Sequence, residues 1–360
     1  MKLLIVTPKV DKDDENLGAF YYWFEELAKH FDEIVIIANS VGVESLPAHV
    51  HVHTLYKEHG LGRLRRLWKF WELFSWHYAR TDTVLFHMIP EFVLLAAPFL
   101  LSNRKVCSLW YAHGSVTWRL RAADKLIDYV FTSSEGGFRL PSKKVFYLGQ
   151  AIDTKRFEPA KEKNAGGEFR MVSVGRISPV KDYETILRAC TLLKSSWSRE
   201  WSFSIIGGPL LPRDREYLDV LKKFARESGI EKRVYFLGSR HYSEIPLLLR
   251  EYDLFLNASK TGSLDKAVLE AMACGLPVIT ANEAYRKILA PKYFLERVSA
   301  PLLAERIKAI SAELSPNTAL REIVISQHSL SATIEKMSTI LQSHGNTFAG
   351  ARKEVRGSAV

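Results

Sequence analysis

The sequence predicts an α/β protein made of two doubly wound domains, each with a parallel sheet. Short runs of β-branched and aromatic residues alternate with amphipathic helical patterns, which is typical of strands joined by crossover helices. The alternation stops at a charged, glycine-bearing stretch, residues 158–168, and then resumes. A chain of 360 residues can bury two such cores. We expect the two domains to face each other across a cleft, with ligands at the carboxyl ends of the strands.

The first domain is predicted over residues 1–158. Its strands are expected in six segments, which read KLLIVTP, EIVIIAN, TVLFHM, KVCSLWYA, YVFTSS and KVFYLG. The first of these has too short an apolar run for a signal peptide. It is therefore interpreted as the first strand of the sheet.

The second domain is predicted over residues 168–322. Its strands are expected in five segments, which read RMVSVG, WSFSIIGG, RVYFLG, LFLNAS and PVITAN. A helix is expected over residues 323–343, followed by a basic, small-residue tail, residues 344–360, that is predicted to be disordered.

The composition indicates where the protein works and which charge its partners carry, but it says little about function. The formal net charge of +10 favours anionic partners, among them phosphorylated donors, anionic lipid surfaces and nucleic acid. The 3 cysteines show no C-x-x-C spacing, so neither a disulfide framework nor a zinc knuckle is expected. No apolar run is long enough to span a bilayer. A cytoplasmic protein, with peripheral membrane contact at most, is expected.

A strand-to-helix junction after RMVSVG carries two cations. Gly175 and Arg176 follow the strand, and Lys181 and Asp182 lie at the start of the next helix. A guanidinium, an ammonium and free backbone N–H groups at a helix terminus suit a diphosphate. The alternative is a solvated basic turn.

A second junction of the same kind lies further along the chain. A glycine-bearing loop precedes a helix that ends near Gly275 and carries Glu270. A carboxylate can accept hydrogen bonds from two vicinal hydroxyl groups, so Glu270 suits a nucleotide ribose. The alternative is a helix residue that faces solvent.

These paired segments, VGRISPVKDYETIL and LEAMACGLPVI, resemble the donor-binding half of the retaining family-4 glycosyltransferases, also called glycosyl transferases group 1. The segments YAHGSV, QAIDTKRF, SIIGGP and VYFLGS extend the resemblance over roughly residues 1–343. It implies a GT-B fold of two Rossmann-like domains, with the acceptor bound by the first and the nucleotide-sugar by the second. It also implies a final helix that crosses back to the first domain, and retention of anomeric configuration.

Carried over residue by residue, the resemblance implies that Arg176 and Lys181 hold the diphosphate leaving group, that Glu270 binds the ribose, and that His113 lies near the transferred sugar. Of these residues, the catalytic ones would be Arg176, Lys181 and His113. Gly18 would lie on the acceptor side, and Asp153 and Phe157 would be structural. The further donor-binding positions would be Gly175, Gly208, Ser239, Gly262, Ser263, Leu264 and Asp265.

Two fixed cations could stabilise the charge that accumulates on the departing diphosphate. No paired-aspartate metal motif accompanies them. We therefore expect transfer without a metal or other cofactor, with the nucleotide-sugar as co-substrate. For His113 the alternative role is purely structural, since a histidine after a buried strand is often only a satisfied core residue.

The sequence departs from the family pattern at two places. The family has an acidic residue eight positions before the ribose glutamate, where this chain has Gly262, and Asp265 lies three residues later. Ser263 could cap the helix and Asp265 could be a first-turn charge, or Asp265 could contact the sugar. In the first turn, Gly18 stands alone where family members commonly have a glycine-rich loop. A catalytically weak or non-catalytic member remains an alternative.

Residues 61–78 predict a basic, aromatic and amphipathic helix. Arg63, Arg66 and Lys69 lie largely off the apolar face, which is formed by Leu64, Leu67, Trp68, Trp71 and Phe74. The helix could lie in the headgroup region of an anionic membrane or pack in the core. The membrane alternative suits a glycan or lipid-linked acceptor.

Other classes of function fit less well. A nucleic-acid-binding protein is not expected, because no helix-turn-helix, aromatic sheet pattern or finger spacing accompanies the charge. A nucleotide-sugar epimerase or a sugar phosphorylase could use the same fold for different chemistry. The donor base (uracil, guanine or adenine), the sugar and the acceptor stay open.

Overall fold

The computed structural model describes residues 1–102, 105–160, 167–259, 262–313 and 316–357, with side chains as far as residue 343. The chain forms two compact units. The amino-terminal unit comprises Met1–Ala151 and Leu330–Val360, and the carboxyl-terminal unit comprises Ile152–Ser329. Each is an α/β unit around its own sheet, as the sequence predicts.

The amino-terminal unit is a parallel sheet of seven strands in the order β3-β2-β1-β4-β5-β6-β7. Its strands are β1 (Lys2–Val10), β2 (Glu33–Val41), β3 (Val50–Thr54), β4 (Thr83–His87), β5 (Val106–Trp110), β6 (Tyr129–Thr132) and β7 (Val145–Tyr147). Its helices are α1 (Gly18–Leu27), α2 (Arg63–Arg80), α3 (Pro90–Ser102) and α4 (Trp118–Asp124), with α11 (Leu330–Gly357) added from the end of the chain.

Burial explains why most of these strands can be read from the sequence. Leu3, Leu4, Ile5 and Val6 in β1 are fully buried, as the central strand of a sheet covered on both faces requires. The strand β3 is additional to the six expected segments, although its alternating histidines also suggest a strand in the sequence. It lies at the edge of the sheet, where an alternating histidine pattern leaves its side chains largely half-buried.

The carboxyl-terminal unit is a parallel sheet of five strands in the order β10-β9-β8-β11-β12. All five were predicted, and they are β8 (Phe169–Val174), β9 (Trp201–Ile206), β10 (Val234–Gly238), β11 (Leu254–Asn257) and β12 (Val278–Thr280). Its helices are α5 (Tyr183–Ser196), α6 (Pro212–Glu227), α7 (Ile245–Leu249), α8 (Lys266–Ala273), α9 (Ala300–Ile310) and α10 (Thr318–His328). The strand order reverses between β8 and β11.

The unit boundaries differ from the expected ones. The carboxyl-terminal unit begins at Ile152, because the backbone N–H of Ile152 donates to His328 O at 2.7 Å and ties this segment to α10. Residues 323–343 were expected to form one helix. Instead α10 ends at His328, Ser329 is extended, and α11 begins at Leu330.

The end of the chain also differs from the expectation of disorder from residue 344. The backbone of α11 is helical as far as Gly357, and no proline interrupts the sequence there. Residues 358–360 lie outside the described part of the chain, as do residues 161–166 of the charged stretch that was expected to join the domains.

The residues expected to be structural at the start of the carboxyl-terminal unit form a compact turn. The backbone N–H of Phe157 donates to Asp153 O at 2.9 Å, and the Phe157 side chain is fully buried. Arg321 of α10 donates to Phe157 O at 2.7 Å and to Thr154 O at 3.0 Å. Arg321 therefore ties this turn to α10 of the same unit.

Candidate functional site

The candidate site lies at the point where the strand order of the carboxyl-terminal unit reverses. Gly175 and Arg176 directly follow β8, and Asn257 is the last residue of β11, its neighbour in the sheet. Connections leave such neighbouring strands in opposite directions, so a crevice opens at their carboxyl ends, where doubly wound proteins bind ligands. The first cation predicted from the sequence is thus at the favoured edge of the sheet.

The loops after β8 and β9 approach each other closely at this site. Gly207 has φ +143°, and a Cβ atom on it would lie 2.1 Å from Gly175 O. The backbone N–H of Gly175 donates to Ile206 O at 2.9 Å, and that of Ile177 donates to Gly208 O at 3.0 Å. The loops after β8 and β9 therefore touch through their backbones, which only glycine at position 207 permits.

Two further predicted donor-binding residues are direct neighbours. A Cβ atom on Gly208 would lie 2.5 Å from Ser239 Oγ, so the Ser239 hydroxyl is packed beside the Gly208 backbone. Ser239 itself is exposed and follows β10. The ends of β8, β9 and β10 thus bring Gly175, Gly208 and Ser239 into one row.

Lys181 lies in a short 3-10 helix, Pro179–Lys181, just before α5. Its Nζ atom would be 3.3 Å from a Cβ atom on Gly175, whose φ is +148°. Asp182, with φ +49°, caps α5 by accepting from the Thr185 backbone N–H at 3.4 Å, and it also accepts from Thr185 Oγ1 at 2.9 Å. The cation is therefore folded back over the end of β8, as a diphosphate site requires.

Arg176 is exposed, and within the described residues its guanidinium makes no hydrogen bond or ion pair. Tyr183 holds the backbone beside it, since its hydroxyl donates to Gly175 O at 3.1 Å. Burial raises the pKa of Tyr183, so this hydroxyl keeps its proton. One cation at this junction is thus open to solvent, while the other is engaged.

The partner of Lys181 is Asp265, with which it forms an ion pair through Asp265 Oδ2. The same oxygen accepts from Asn257 Nδ2 at 2.9 Å. A first-turn charge and a contact with the sugar were the two alternatives for Asp265, which lies directly before the first residue of α8. Asp265 does occupy the N-cap position of α8, but its side chain makes no capping hydrogen bond, because Lys181 and Asn257 draw it away.

The capping role expected for Ser263 is wrong as well, because α8 begins at Lys266 and its cap position is Asp265. The Ser263 carbonyl instead accepts from Asn282 Nδ2 at 2.8 Å. Gly262 has φ +71°, and Leu264 is buried. Asn282, which follows β12, therefore holds the backbone at Ser263. Residues 260 and 261 lie outside the described part of the chain.

Glu270 lies in the middle of α8 and is buried, so the solvent-facing alternative is wrong. Its Oε1 accepts from the Tyr242 hydroxyl at 2.7 Å. Burial raises the pKa of Glu270, and Lys266, one helical turn earlier, opposes this rise. Burial in turn lowers the pKa of Lys266. The two groups therefore influence each other's charge electrostatically within α8.

The two remaining predicted site residues belong to the amino-terminal unit. His113 follows β5 and is exposed, and its Nδ1 accepts from the Ser115 backbone N–H at 3.2 Å. An exposed position is not that of a satisfied core histidine. Gly18 is buried and is the first residue of α1. Both lie beyond the carboxyl ends of strands, His113 after β5 and Gly18 after β1.

Sequence reasoning missed the polar residues that support the site. Asn257 accepts from Thr280 Oγ1 at 3.2 Å, and Tyr285 donates to Asp265 O at 2.7 Å. Tyr242 holds Glu270. A polar side chain at the end of an otherwise apolar strand, as in LFLN, is a signal that could have identified Asn257. Tyr242 and Tyr285 come from short 3-10 helices and have no such signal.

The helix α2 has both a packed and an exposed apolar side. Phe70, Phe74 and Tyr78 are buried at helical spacing, so of the predicted apolar face only Phe74 is fully in the core. Leu64 is 76% exposed and Trp68 is 71% exposed. Core packing therefore accounts for part of the helix and leaves large apolar side chains on the surface.

Basic groups accompany this surface. Arg63 and Arg65 are exposed, whereas Arg66 donates to Asn39 Oδ1 at 2.7 Å. At the end of the helix, the Arg80 guanidinium lies 3.4 Å from the ring centre of Trp76, which is 59% exposed. In the described part of the chain, no helix has the length and apolar character needed to cross a bilayer.

The fold and the site define an α/β protein whose carboxyl-terminal unit places a lysine, an arginine and tightly apposed glycine loops at its topological switch point. Comparison with known families agrees with this class. Residues 154–318 match the family described as "Glycosyl transferases group 1". The match lies in the carboxyl-terminal half of the chain and confirms, for these residues, the resemblance seen in the sequence.

The curated relatives are glycosyltransferases by name. "D-inositol 3-phosphate glycosyltransferase" of Rhodococcus erythropolis is 32% identical over 150 residues, which cover 39% of this chain and 33% of the relative. "GDP-mannose-dependent alpha-(1-6)-phosphatidylinositol monomannoside mannosyltransferase" of Mycobacterium tuberculosis is 27% identical over 186 residues, which cover 47% of this chain and 46% of the relative. The matches thus span less than half of the length of these relatives.

Solved structures extend the likeness of the fold to nearly the whole chain. The crystal structure of the Anabaena protein HepE in complex with UDP and glucose has a TM-score of 0.75 and 16% sequence identity. The match covers 95% of this chain and 100% of that chain. The fold class is therefore that of the GT-B glycosyltransferases, as the sequence predicts.

Proposed function

We propose that this chain is a retaining glycosyltransferase of the hexosyl-transferring type that uses a nucleotide-diphosphate-sugar donor. Its acceptor would be a glycan or a lipid-linked sugar in the synthesis of a cell-surface polysaccharide or glycolipid. The observation that carries the proposal is the position of Lys181, folded over Gly175 at the switch point of a family-matched unit. The name of one similar protein gives GDP-mannose, and HepE was solved in complex with UDP and glucose, which agrees with this donor class.

The proposed reaction exchanges one bond at the sugar for another. The bond between the anomeric carbon and the terminal phosphate oxygen breaks, and its electron pair stays on the diphosphate. The acceptor oxygen bonds to the anomeric carbon, and the acceptor proton leaves to the diphosphate or to water. Negative charge grows on the diphosphate as this happens, and Arg176 and Lys181 would stabilise it electrostatically. We expect this stabilisation to need no metal ion.

The remaining residues would bind the rest of the donor. Glu270 Oε1 is held by Tyr242, while Oε2 accepts no hydrogen bond from the described residues, so this oxygen would accept from a ribose hydroxyl. The backbone at Gly208 and the Ser239 hydroxyl would line the nucleotide side. His113, in the amino-terminal unit, would contact the transferred sugar, and Gly18 would serve the acceptor.

A nucleotide-binding test addresses the proposal most directly. We expect one of UDP, GDP and ADP to raise the thermal unfolding temperature by several degrees, because a ligand that binds only the folded state at 100 times its Kd adds about 2.7 kcal/mol of stability. The shift should persist when EDTA is present. Differential scanning fluorimetry measures it.

The matched controls are uridine, guanosine and adenosine, which lack the diphosphate and should give a much smaller shift. If none of the three nucleoside diphosphates stabilises the protein, or if each nucleoside does so equally well, the proposal of a nucleotide-sugar donor is wrong. A response to nucleic acid instead would favour the class that the sequence argues against.

We further propose that α2 contacts the cytoplasmic face of an anionic membrane, where a lipid-linked acceptor would be presented. Exposed tryptophan and leucine side chains favour the headgroup region, and neighbouring arginines favour lipid phosphates. The unpacked side of α2 offers both, through Leu64, Arg65 and Trp68. The Arg80 guanidinium over the Trp76 ring gives the same helix a further basic and aromatic pair.

A co-sedimentation assay with phosphatidylglycerol vesicles tests this contact. We expect the triple variant Leu64→Ala, Arg65→Glu and Trp68→Ala to bind at least tenfold more weakly than the wild type, since it removes apolar area and reverses one charge. The control variant, Leu210→Ala with Arg215→Glu, changes exposed residues of the other unit and should bind as the wild type does. Equal loss in both variants, or no wild-type binding, contradicts the contact.

A further inference from the structure

Asp265 places a negative charge where the proposed function needs an anion to bind. Its Oδ2 atom is paired with Lys181 Nζ, the cation assigned to the diphosphate. The Lys181 side chain is 19% exposed and that of Asp265 is 14% exposed, so water screens the pair only partly. Part of the lysine charge is therefore offset within the protein before any ligand arrives.

The carboxylate is held in this place from several directions. Asn257 Nδ2 donates to Asp265 Oδ2 at 2.9 Å, and Asn257 is itself fixed because its Oδ1 accepts from Thr280 Oγ1 at 3.2 Å and from the Ser259 N–H at 3.2 Å. The Tyr285 hydroxyl donates to Asp265 O at 2.7 Å, which fixes the backbone. Such a set of bonds keeps the charge near Lys181 when a ligand binds.

A role confined to helix stability does not explain this arrangement. A capping aspartate would accept from the first backbone N–H groups of α8, and Asp265 does not. The pair joins the β8–α5 connection to the start of α8, which are the two segments that the proposed function assigns to the donor. The charge of Asp265 thus acts at the ligand site itself.

We propose that Asp265 is a specificity-determining residue that disfavours the nucleoside diphosphate product relative to the nucleotide-sugar donor. This rests on the proposed function. The terminal phosphate of a free nucleoside diphosphate carries about one more negative charge near pH 7 than the sugar-substituted phosphate does. A fixed carboxylate beside Lys181 repels that additional charge, so it weakens binding of the product more than binding of the donor.

The consequence is faster release of the product after transfer. Lys181 stabilises the departing diphosphate, and a site with two unopposed cations would also hold the product tightly. Asp265 offsets part of this attraction. The free oxygen of the carboxylate, Oδ1, accepts no hydrogen bond from the described residues and is available to a sugar hydroxyl, which would favour the donor further.

The test compares the wild type with Asp265→Asn by isothermal titration calorimetry. The substitution removes the charge, keeps the shape, and still lets Asn257 donate to the side-chain oxygen. For the nucleoside diphosphate that binds the wild type, we expect Asp265→Asn to bind roughly tenfold more tightly. The affinity for the corresponding nucleotide-sugar should change less, so the donor-to-product affinity ratio falls. Asp265→Ser repeats the test with a smaller side chain.

The control is Asp219→Asn, which removes the same charge from an exposed position on α6. It should leave both affinities unchanged. If Asp265→Asn binds the diphosphate no more tightly than the wild type does, or if both ligands change equally, the inference is overturned. If no nucleoside diphosphate binds the wild type or the Asp265 variants, the proposed function fails instead.

Discussion

Replacing Lys181 with alanine should lower the turnover of sugar transfer by about 10²–10³-fold, the cost of removing one fixed electrostatic group from a developing anion. The Lys181 Nζ atom lies over the end of β8, 3.3 Å from the Cβ position at Gly175, so its loss leaves Arg176 to stabilise the diphosphate without it. The loss should fall mainly on kcat, because the charge on the diphosphate is largest as the glycosidic bond breaks.

Lys194→Ala is a matched control for this measurement. Lys194 lies in the last turn of the same helix, α5, and its ammonium donates to Gly229 O at 2.8 Å, so its loss removes a cation away from the switch point. Initial rates with a fixed donor and a set of glycan and lipid-linked acceptors give the comparison. Equal rates for Lys181→Ala and the wild type would falsify the role of the lysine.

Replacing Gly207 with alanine should destabilise the carboxyl-terminal unit by about 3 kcal/mol and abolish nucleotide binding. The added Cβ atom would lie 2.1 Å from Gly175 O, and both partners are backbone, so the loops after β8 and β9 must separate. That movement also shifts Arg176 and the connection that carries Lys181. Urea unfolding monitored by tryptophan fluorescence measures the free energy of unfolding.

Gly238→Ala separates the effect of this clash from the effect of backbone strain. Gly238 also has a positive φ, +71°, but a Cβ atom there meets nothing within 4 Å. Only the cost of a left-handed alanine remains, about 1 kcal/mol. Should both variants lose the same stability, the close crossing at Gly207 is not the source of the effect.

The secondary structure of this chain could largely be predicted because its strands are buried on both faces. The run LLIV in β1 and the run FSII in β9 are buried, and such segments are distinctive in sequence. The edge strand β3 is half-buried and lacks that signal, and its alternating histidines are the pattern that suggests a strand there. The position of the break between α10 and α11 was also not predictable, since residues 323–343 are compatible with one helix. The break lies where the backbone N–H of Ile152 donates to the carbonyl of His328, the last residue of α10.

The site divides in the same way. Gly175, Arg176, Lys181 and Glu270 could be selected from the sequence, because strand ends and helix starts are visible in it and their chemistry suits a phosphate and a ribose. The ion pair of Asp265 could not be predicted from the sequence, because its partner, Lys181, lies in a different connection between strand and helix. The burial of Glu270 and its hydrogen bond from the Tyr242 hydroxyl could likewise not be predicted from the sequence.

The sequence by itself determined two doubly wound sheets, the order of their strands along the chain and the cations that follow β8. These depend on local periodicity and on the residues at strand ends, which a linear chain records directly. Only the tertiary structure decided that Gly207 abuts Gly175 and that Asp265 pairs with Lys181. Those contacts join residues far apart in the chain, and they arise only when neighbouring strands bring their connections to the same edge of a sheet.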